Sequence, residues 1–179
     1  TNIDGFDYSQ NEIDFDKRPE IDRWILSELN TLIKDVDAYY DNYEPTKAGR
    51  AIQNFVDEYL SNWYVRLCRR RFWKGSFSDD KISAYQTLYS CLETVAMLIA
   101  PIAPFFADRL FTDLNSVTRK HNINSVHLAD WPVCNSAFIN KELEARMQLA
   151  QKLSSMVLSL RKKIGIRVRQ PLSKIMVPY

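Results

Sequence analysis

Glycine and proline are scarce in this chain, which has four glycines and seven prolines among its 179 residues. Turn-rich β architectures and low-complexity segments need more of both, so the composition favours a helical protein. No run of 18 apolar residues occurs, so no membrane-spanning helix is expected. The hydrophobic fraction of 46% is nevertheless sufficient for a sizeable core and too high for a disordered chain.

Motifs for catalysis and for metal binding are also missing. The sequence contains no Gly-rich phosphate loop, no HExxH and no GxSxG. Its three cysteines, Cys68, Cys91 and Cys134, lack the spacing of a zinc site, and neither His121 nor His127 has a partnering motif. Unpaired cysteines are usually small buried hydrophobes in a reducing compartment, so a cytoplasmic location is expected. We therefore predict no catalytic residue, no metal site and no cofactor bound by this chain itself.

The start of the chain has neither an initiator methionine nor the basic-then-apolar pattern of a signal peptide. Residues 1–16 are acidic and lack helical periodicity. We therefore expect residues 1–16 to be a linker and the chain to be a fragment of a longer protein.

Charge is distributed unevenly along the sequence. Residues 1–60 hold 14 acidic and 6 basic side chains, a net of −8, whereas residues 61–179 hold 8 acidic and 18 basic ones, a net of +10. Residues 145–179 contain eight bases and no acid. Such an asymmetry favours a polyanionic partner for one face of the protein.

Apolar residues recur at three- and four-residue spacing over most of the chain, which predicts an all-α protein. The expected helices run from near Pro19 to about Asn42, from a Thr46 cap to about Trp73, from a Ser78 or Asp79 cap to about Ile99, from Pro104 to about Leu114, and over about 141–164. We expect the first four to form the core of a helical bundle over residues 17–132. Residues 133–179 are expected to add a C-terminal helix and a strand that begins a small α/β junction element.

The predicted strand region combines alternation with positive charge. Residues 166–172 alternate between apolar and polar, which would place Arg167 and Arg169 on one face of an extended segment, and residues 174–177 also have a strand-like pattern. Two interpretations fit this pattern. The segment is either an edge strand whose arginines prevent pairing with another strand, or a basic ridge that follows RNA phosphates.

The strongest local feature is an arginine-rich segment from Leu60 to Lys74 at the end of the second helix. On a helix, Asn62, Arg66, Arg69 and Trp73 would share a stripe with Arg70 beside it, while Trp63 and Leu67 would face the core. The helix dipole favours one or two cations at this end, but not four arginines interleaved with aromatic residues.

Guanidinium groups pair with phosphates and an exposed indole stacks on bases, so this segment suits single-stranded nucleic acid. A solvated basic face and a docking surface for an acidic protein remain open on the residues alone.

Several segments in order along the whole chain resemble the anticodon-binding domain of class Ia aminoacyl-tRNA synthetases. They are 18–30, 60–73, the proline-containing junction 99–105, the segment 126–132 that ends in Trp-Pro, and 167–172 with its Arg-Gln-Pro-Leu. The run Arg69–Trp73 and the element Arg169–Leu172 resemble the isoleucyl enzymes more than the valyl ones. The HIGH and KMSKS motifs of the family do not occur.

The resemblance implies a bundle that binds the anticodon stem-loop of isoleucine tRNA. It also implies a parent enzyme that is monomeric, uses ATP with Mg, and has its catalytic domain upstream of Thr1. A valyl enzyme and a helical protein-interaction module with a basic face are the alternatives. The residues expected to bind tRNA are Asn62, Arg66, Arg69, Arg70, Trp73, Lys74, Lys162, Lys163, Arg167 and Arg169.

Overall fold

The computed structural model describes residues 12–73, 78–174 and 176. It divides into two compact units, Thr1–Asn140 and Lys141–Tyr179. Within the described ranges the regular structure is entirely helical, without a β-strand, so the predicted all-α fold is confirmed. The division predicted from the sequence, with a bundle over 17–132, stays a prediction.

The first unit is built from four helical rods, as predicted. They are α1 (Glu20–Asp41); a continuous rod of α2 (Pro45–Asn54), a π-helical stretch (Phe55–Val65) and α3 (Arg66–Trp73); α4 (Asp79–Ile99); and α5 (Pro104–Thr118). The second rod is continuous because Phe55 and Arg66, at its two joints, keep right-handed helical dihedral angles. The second unit contains α6 (Lys141–Lys163).

Local sequence explains most helix starts. Pro104 lies in the first turn of α5, and the Ser78 hydroxyl accepts a 3.4 Å hydrogen bond from the Lys81 backbone N–H at the start of α4, both as predicted. The prediction that Thr46 caps the second rod is wrong. The helix begins two residues earlier than a Thr46 cap implies, because Pro45 has its φ preset for the first helical position, and the cap position is occupied by Glu44.

Helices α1 and α4 run in the same direction. Near their N-termini the Ser83 hydroxyl donates to Asp22 over 2.7 Å, and near their C-termini the Tyr40 hydroxyl donates to the Leu98 carbonyl over 3.0 Å. The bundle therefore has two distinct ends, separated by the length of a 22-residue helix, about 33 Å. The largest fully buried side chains between the rods include Trp24, Ile25, Val36, Ile52, Phe55, Tyr64, Leu98 and Phe111.

Two non-helical segments belong to the first unit. Arg18 is buried and donates to the Ile13 carbonyl over 3.0 Å and to the Thr87 hydroxyl over 2.9 Å, which holds the residues before α1 against α4. In the segment that follows residue 132, the Asn135 N–H donates to the Asn30 side chain over 2.8 Å. The first segment is therefore fixed to α4, and the second to the middle of α1.

The second unit corrects the predicted strand over residues 166–172. After α6 the chain turns at Gly165, whose φ is +70°, and the Gln170 N–H donates to the Arg167 carbonyl over 3.0 Å. The Arg161 guanidinium binds the carbonyls of Arg167 and Gln170 at 2.8 and 2.9 Å. This side chain satisfies backbone acceptors that an extended segment would offer to a neighbouring strand, so the segment curls. Two of the four residues of the strand predicted over 174–177, residues 175 and 177, lie outside the described residues.

In the described part of the chain, no helix combines the length and the apolar character needed to cross a bilayer.

The Asp108 carboxylate on α5 makes the stability of the folded chain depend on pH. It accepts hydrogen bonds from the Ser125 hydroxyl at 2.6 Å and the Val126 N–H at 3.0 Å, which hold the chain after α5. These bonds lower the Asp108 pKa below its usual value. The stabilisation is thus present above about pH 4 and is lost as the pH falls through the folded-state pKa.

We therefore expect Asp108→Asn to lower the melting temperature at pH 7 and to reduce its further fall between pH 5 and pH 2. Melting curves at several pH values test this, with Asp37→Asn on the exposed face of α1 as the control. An Asp108→Asn chain as acid-sensitive as the wild type would contradict the assignment.

Candidate nucleic-acid interface

A shallow depression of about 380 Å³ lies on the surface of α3. Arg66, Leu67, Arg69, Arg70 and Trp73 line it, and we call these five residues the arginine face. Three arginines project from two turns of one helix because positions three and four apart lie on the same side. The structure thus brings together four of the ten residues expected to bind tRNA.

Trp73 is the aromatic residue of the arginine face, and its side chain is 73% exposed. The Arg69 guanidinium carbon lies 4.5 Å from the centre of its indole ring. This cation–π contact places the guanidinium over the indole and orders both side chains. A base could therefore stack on the exposed indole beside a fixed positive charge.

The charges of the arginine face are available to a ligand. Across residues 12–73 and 78–174, none of Arg66, Arg69 and Arg70 forms an ion pair with an acidic side chain, and all three are exposed. Arginine stays protonated in proteins and presents five N–H donors in a planar fork that matches phosphate oxygens. The surface is therefore suited to an anion with planar or tetrahedral oxygen groups.

The helix phase differs from the one predicted at two positions. Leu67 was expected to face the core but is 54% exposed, and Trp63 is only partly buried. The buried positions are spaced by four: Leu60, Tyr64, Cys68 and Phe72. The π-helical stretch explains this, because its wider turns keep residues four apart on one side and rotate Trp63 and Leu67 outward.

Arg71 and Phe72 belong to the arginine-rich segment but not to the arginine face. Phe72 is buried and packs on Tyr85, with ring centres 5.4 Å apart. Arg71 forms a two-pronged ion pair with Asp22 of α1, with distances of 2.6 Å from Nη1 to Oδ1 and 2.8 Å from Nη2 to Oδ2. This helix therefore offers a ligand less positive charge than its arginine content indicates.

Asp22 is fully buried and is the centre of a polar network. The Tyr64 hydroxyl donates to it over 2.9 Å and the Ser83 hydroxyl over 2.7 Å. Burial and the Asp22 charge together raise the pKa of Tyr64 well above its usual value. Burial is the largest single effect on Arg71 and on its own would lower the pKa. The hydrogen bonds and the charge of Asp22 outweigh burial, so the pKa of Arg71 is raised above its usual value.

This network was not predicted from the sequence. A signal was present, because Asp22 lies three residues before Ile25 and seven before Leu29, in the phase of the buried face. An acid in a core phase needs a partner. Its partner, 49 residues away, was not identifiable from spacing.

The other expected tRNA-binding residues lie elsewhere. Asn62 is exposed in the π-helical stretch but does not line the depression, and Lys74 lies outside the described residues. In the second unit, Lys162 and Lys163 end α6, while Arg167 and Arg169 are exposed around the turn that follows. The single strand face predicted for Arg167 and Arg169 does not form. A role in RNA binding stays a prediction for all of them.

No group of three or more His, Cys, Asp or Glu side chains in the described ranges is arranged to hold a metal ion. The three cysteines are unpaired, and burial raises the pKa of Cys68 and Cys91.

The fold and the arginine face together define a class: an all-helical bundle that presents a preordered cationic and aromatic surface of the kind that binds nucleic acid. Comparison with known proteins makes the class specific. The family model described as "Anticodon-binding domain of tRNA ligase" matches residues 22–176. The chain belongs to this family.

The relatives are similar over nearly all of this chain. An "Isoleucine--tRNA ligase" of Bacteroides thetaiotaomicron is 63% identical over 177 residues, which are 99% of this chain and 15% of the relative. Proteins with the same name from Cytophaga hutchinsonii and Clostridium tetani are 61% and 44% identical, over 99% and 92% of this chain and 16% of each relative. The chain thus spans about one sixth of the length of these relatives.

Proposed function

We propose that this chain binds the anticodon stem-loop of isoleucine tRNA through the arginine face. The observation that carries the proposal is the set of three exposed arginines beside an exposed indole on two turns of α3, none of the three with an acidic partner in the part of the chain that the structure describes. In this proposal Arg66 and Arg70 bind backbone phosphates. Arg69 holds Trp73, whose indole stacks on an unpaired base of the loop. Asn62 extends the contact along the same rod, and Lys74, which lies outside the described residues, is proposed as a further contact.

Isoleucine tRNA, rather than valine tRNA, is proposed because the relatives described above carry the isoleucine name. The parent protein would be an ATP-dependent isoleucine–tRNA ligase that uses Mg, acts in the cytoplasm as a monomer and carries its catalytic residues in another domain. The role of this chain is then to supply binding energy. The exposed cations Lys162, Lys163, Arg167 and Arg169 would add contacts to the RNA backbone.

The test is a titration of a fluorescently labelled isoleucine anticodon stem-loop with this chain at several salt concentrations. We expect Arg70→Ala to weaken binding about tenfold and to reduce the slope of log affinity against log salt by about 0.7 to 1, because one phosphate contact is lost. Trp73→Ala should weaken binding by about 1–3 kcal/mol with an unchanged slope, because a stacked base involves no counterion release.

Lys34→Ala is the matched control, since Lys34 is an exposed base on α1 outside the arginine face. It should leave affinity nearly unchanged. Equal losses for Lys34→Ala and Arg70→Ala would mean that the RNA senses only net charge. No binding by the wild-type chain at moderate salt would instead favour a surface for an acidic protein. A valine stem-loop bound as tightly as the isoleucine one would remove the specificity part of the proposal.

A further inference from the structure

Arg71 differs from its three exposed neighbours because every one of its N–H donors is occupied. Nε donates to Asp80 Oδ2 at 3.0 Å. Nη1 donates to Asp22 Oδ1 at 2.6 Å and to Cys68 Sγ at 3.3 Å, and Nη2 donates to Asp22 Oδ2 and to the Asp80 carbonyl, both at 2.8 Å. A guanidinium has five such donors. Arg71 therefore has none left for a phosphate, although it lies within the arginine-rich segment.

These bonds join the last turns of α3 to two other helices. Asp22 belongs to α1, and Asp80 belongs to the first turn of α4. A second tether lies one residue further along, where the Tyr85 hydroxyl donates to the Phe72 carbonyl over 3.1 Å. The last carbonyls of a helix have no partner within the helix, so its final turn frays unless other groups hold it.

The residues of the arginine face project from the same turns that these tethers hold. Arg69, Arg70 and Trp73 lie within two residues of Arg71 along α3. The π-helical stretch earlier in the rod changes the direction in which the following side chains point. Contacts at the end of the rod hold these side chains in that direction. The ion pairs of Arg71 with Asp22 and Asp80 are charged contacts that join this end of the rod to α1 and α4.

We propose that Arg71 is a positioning residue for RNA binding: held by Asp22 and Asp80, it fixes the end of α3 so that Arg69, Arg70 and Trp73 meet the RNA already ordered. The inference rests on the proposed function. It predicts that Arg71 changes RNA affinity without touching RNA. Binding a preordered surface avoids the cost of ordering those side chains in the complex.

The decisive comparison is Arg71→Lys against Arg70→Lys. Both keep the charge, but lysine cannot form the two-pronged pair with Asp22. We expect Arg71→Lys to weaken stem-loop binding about tenfold, with the wild-type salt slope, at a temperature where circular dichroism shows the chain folded. Arg70→Lys, which keeps a point charge for the phosphate, should weaken binding only about two- to threefold. Amide exchange in residues 70–73, without RNA, should accelerate in Arg71→Lys alone.

Ser83→Ala separates positioning from stability alone. It removes another hydrogen bond to Asp22 from the side of α4 and leaves the Arg71 fork in place. We expect Ser83→Ala to lower the melting temperature and to bind RNA with wild-type affinity once folded. Tyr85→Phe is the substitute test if Arg71→Lys does not fold. It removes the tether on the Phe72 carbonyl and should weaken RNA binding about two- to fivefold.

Wild-type affinity in both Arg71→Lys and Tyr85→Phe would overturn the inference. Equal two- to threefold losses in Arg71→Lys and Arg70→Lys would also overturn it, because that is the pattern of two arginines that both contact phosphate. Failure of the wild-type chain to bind the stem-loop would be a failure of the proposed function. The faster amide exchange expected in Arg71→Lys would still report the tether in that case.

Discussion

Replacement of Asp22 by alanine is expected to lower the free energy of unfolding by about 3–5 kcal/mol, the largest loss of stability that we predict for any single substitution. The Asp22 carboxylate is fully buried and accepts four hydrogen bonds: two from Arg71 and one each from Tyr64 and Ser83. Its removal leaves a half-buried guanidinium without its main counter-charge and a buried hydroxyl without its acceptor.

Urea denaturation of the chain measures this effect. Asp37→Ala on the exposed face of α1 is the control and should change stability by less than about 0.5 kcal/mol. The double variant Asp22→Ala/Arg71→Met should recover part of the loss, because an apolar pair leaves no uncompensated charge. A loss of less than about 1 kcal/mol in Asp22→Ala would contradict the importance of the network for the fold.

The largest effect on binding is expected when all three exposed arginines are replaced. The variant Arg66→Ala/Arg69→Ala/Arg70→Ala should bind the isoleucine stem-loop at least about a hundredfold more weakly, with a salt slope smaller by about 2 to 3. Its stability should fall little, because these side chains are exposed and form no ion pair within the described residues. Loss of binding without loss of folding would separate this surface from the core.

A control with the same change in net charge uses Lys34, Lys47 and Arg50. These bases are exposed on α1 and α2, outside the arginine face. Their replacement by alanine should reduce affinity only a few-fold, through the long-range field. If this control lost as much affinity as the arginine variant, the RNA would not recognise a particular surface of the bundle.

The sequence was sufficient to predict features that depend on neighbouring residues. Periodic apolar positions predicted each helix to within a few residues, and the turns at Pro45 and Pro104 followed from proline geometry. The exposed positions of Arg66, Arg69, Arg70 and Trp73 were also predicted correctly. These are local properties of one helix, so a single sequence contains the information.

Other features depend on distant partners and were not predictable in this way. Leu67 was assigned to the core because a regular α-helix was assumed, whereas the π-helical stretch rotates it outward. The strand expected over 166–172 does not form because Arg161 binds the carbonyls that would otherwise pair with another strand. The partner of Arg71 lies on a different helix. In each case a tertiary contact or an irregular turn overrides the local pattern.

The arginine-rich segment thus serves two purposes that its composition does not distinguish. Helix phase directs Arg71 and Phe72 toward the interior, where they hold α3 against α1 and α4. The same phase leaves Arg66, Arg69 and Arg70 at the surface without an acidic partner in the described ranges. We infer that the buried half of the segment stabilises the fold and orders the exposed half for RNA.

The most direct test of the proposed RNA surface follows the tryptophan indole N–H signals by NMR while the isoleucine anticodon stem-loop is added. Trp73 is exposed on the arginine face, whereas Trp24 is buried and its indole N–H donates to Glu28. We predict a saturable shift of the Trp73 signal, an unmoved Trp24 signal, and loss of the shift in the triple arginine variant. Saturable RNA binding with an unchanged Trp73 signal would contradict this prediction.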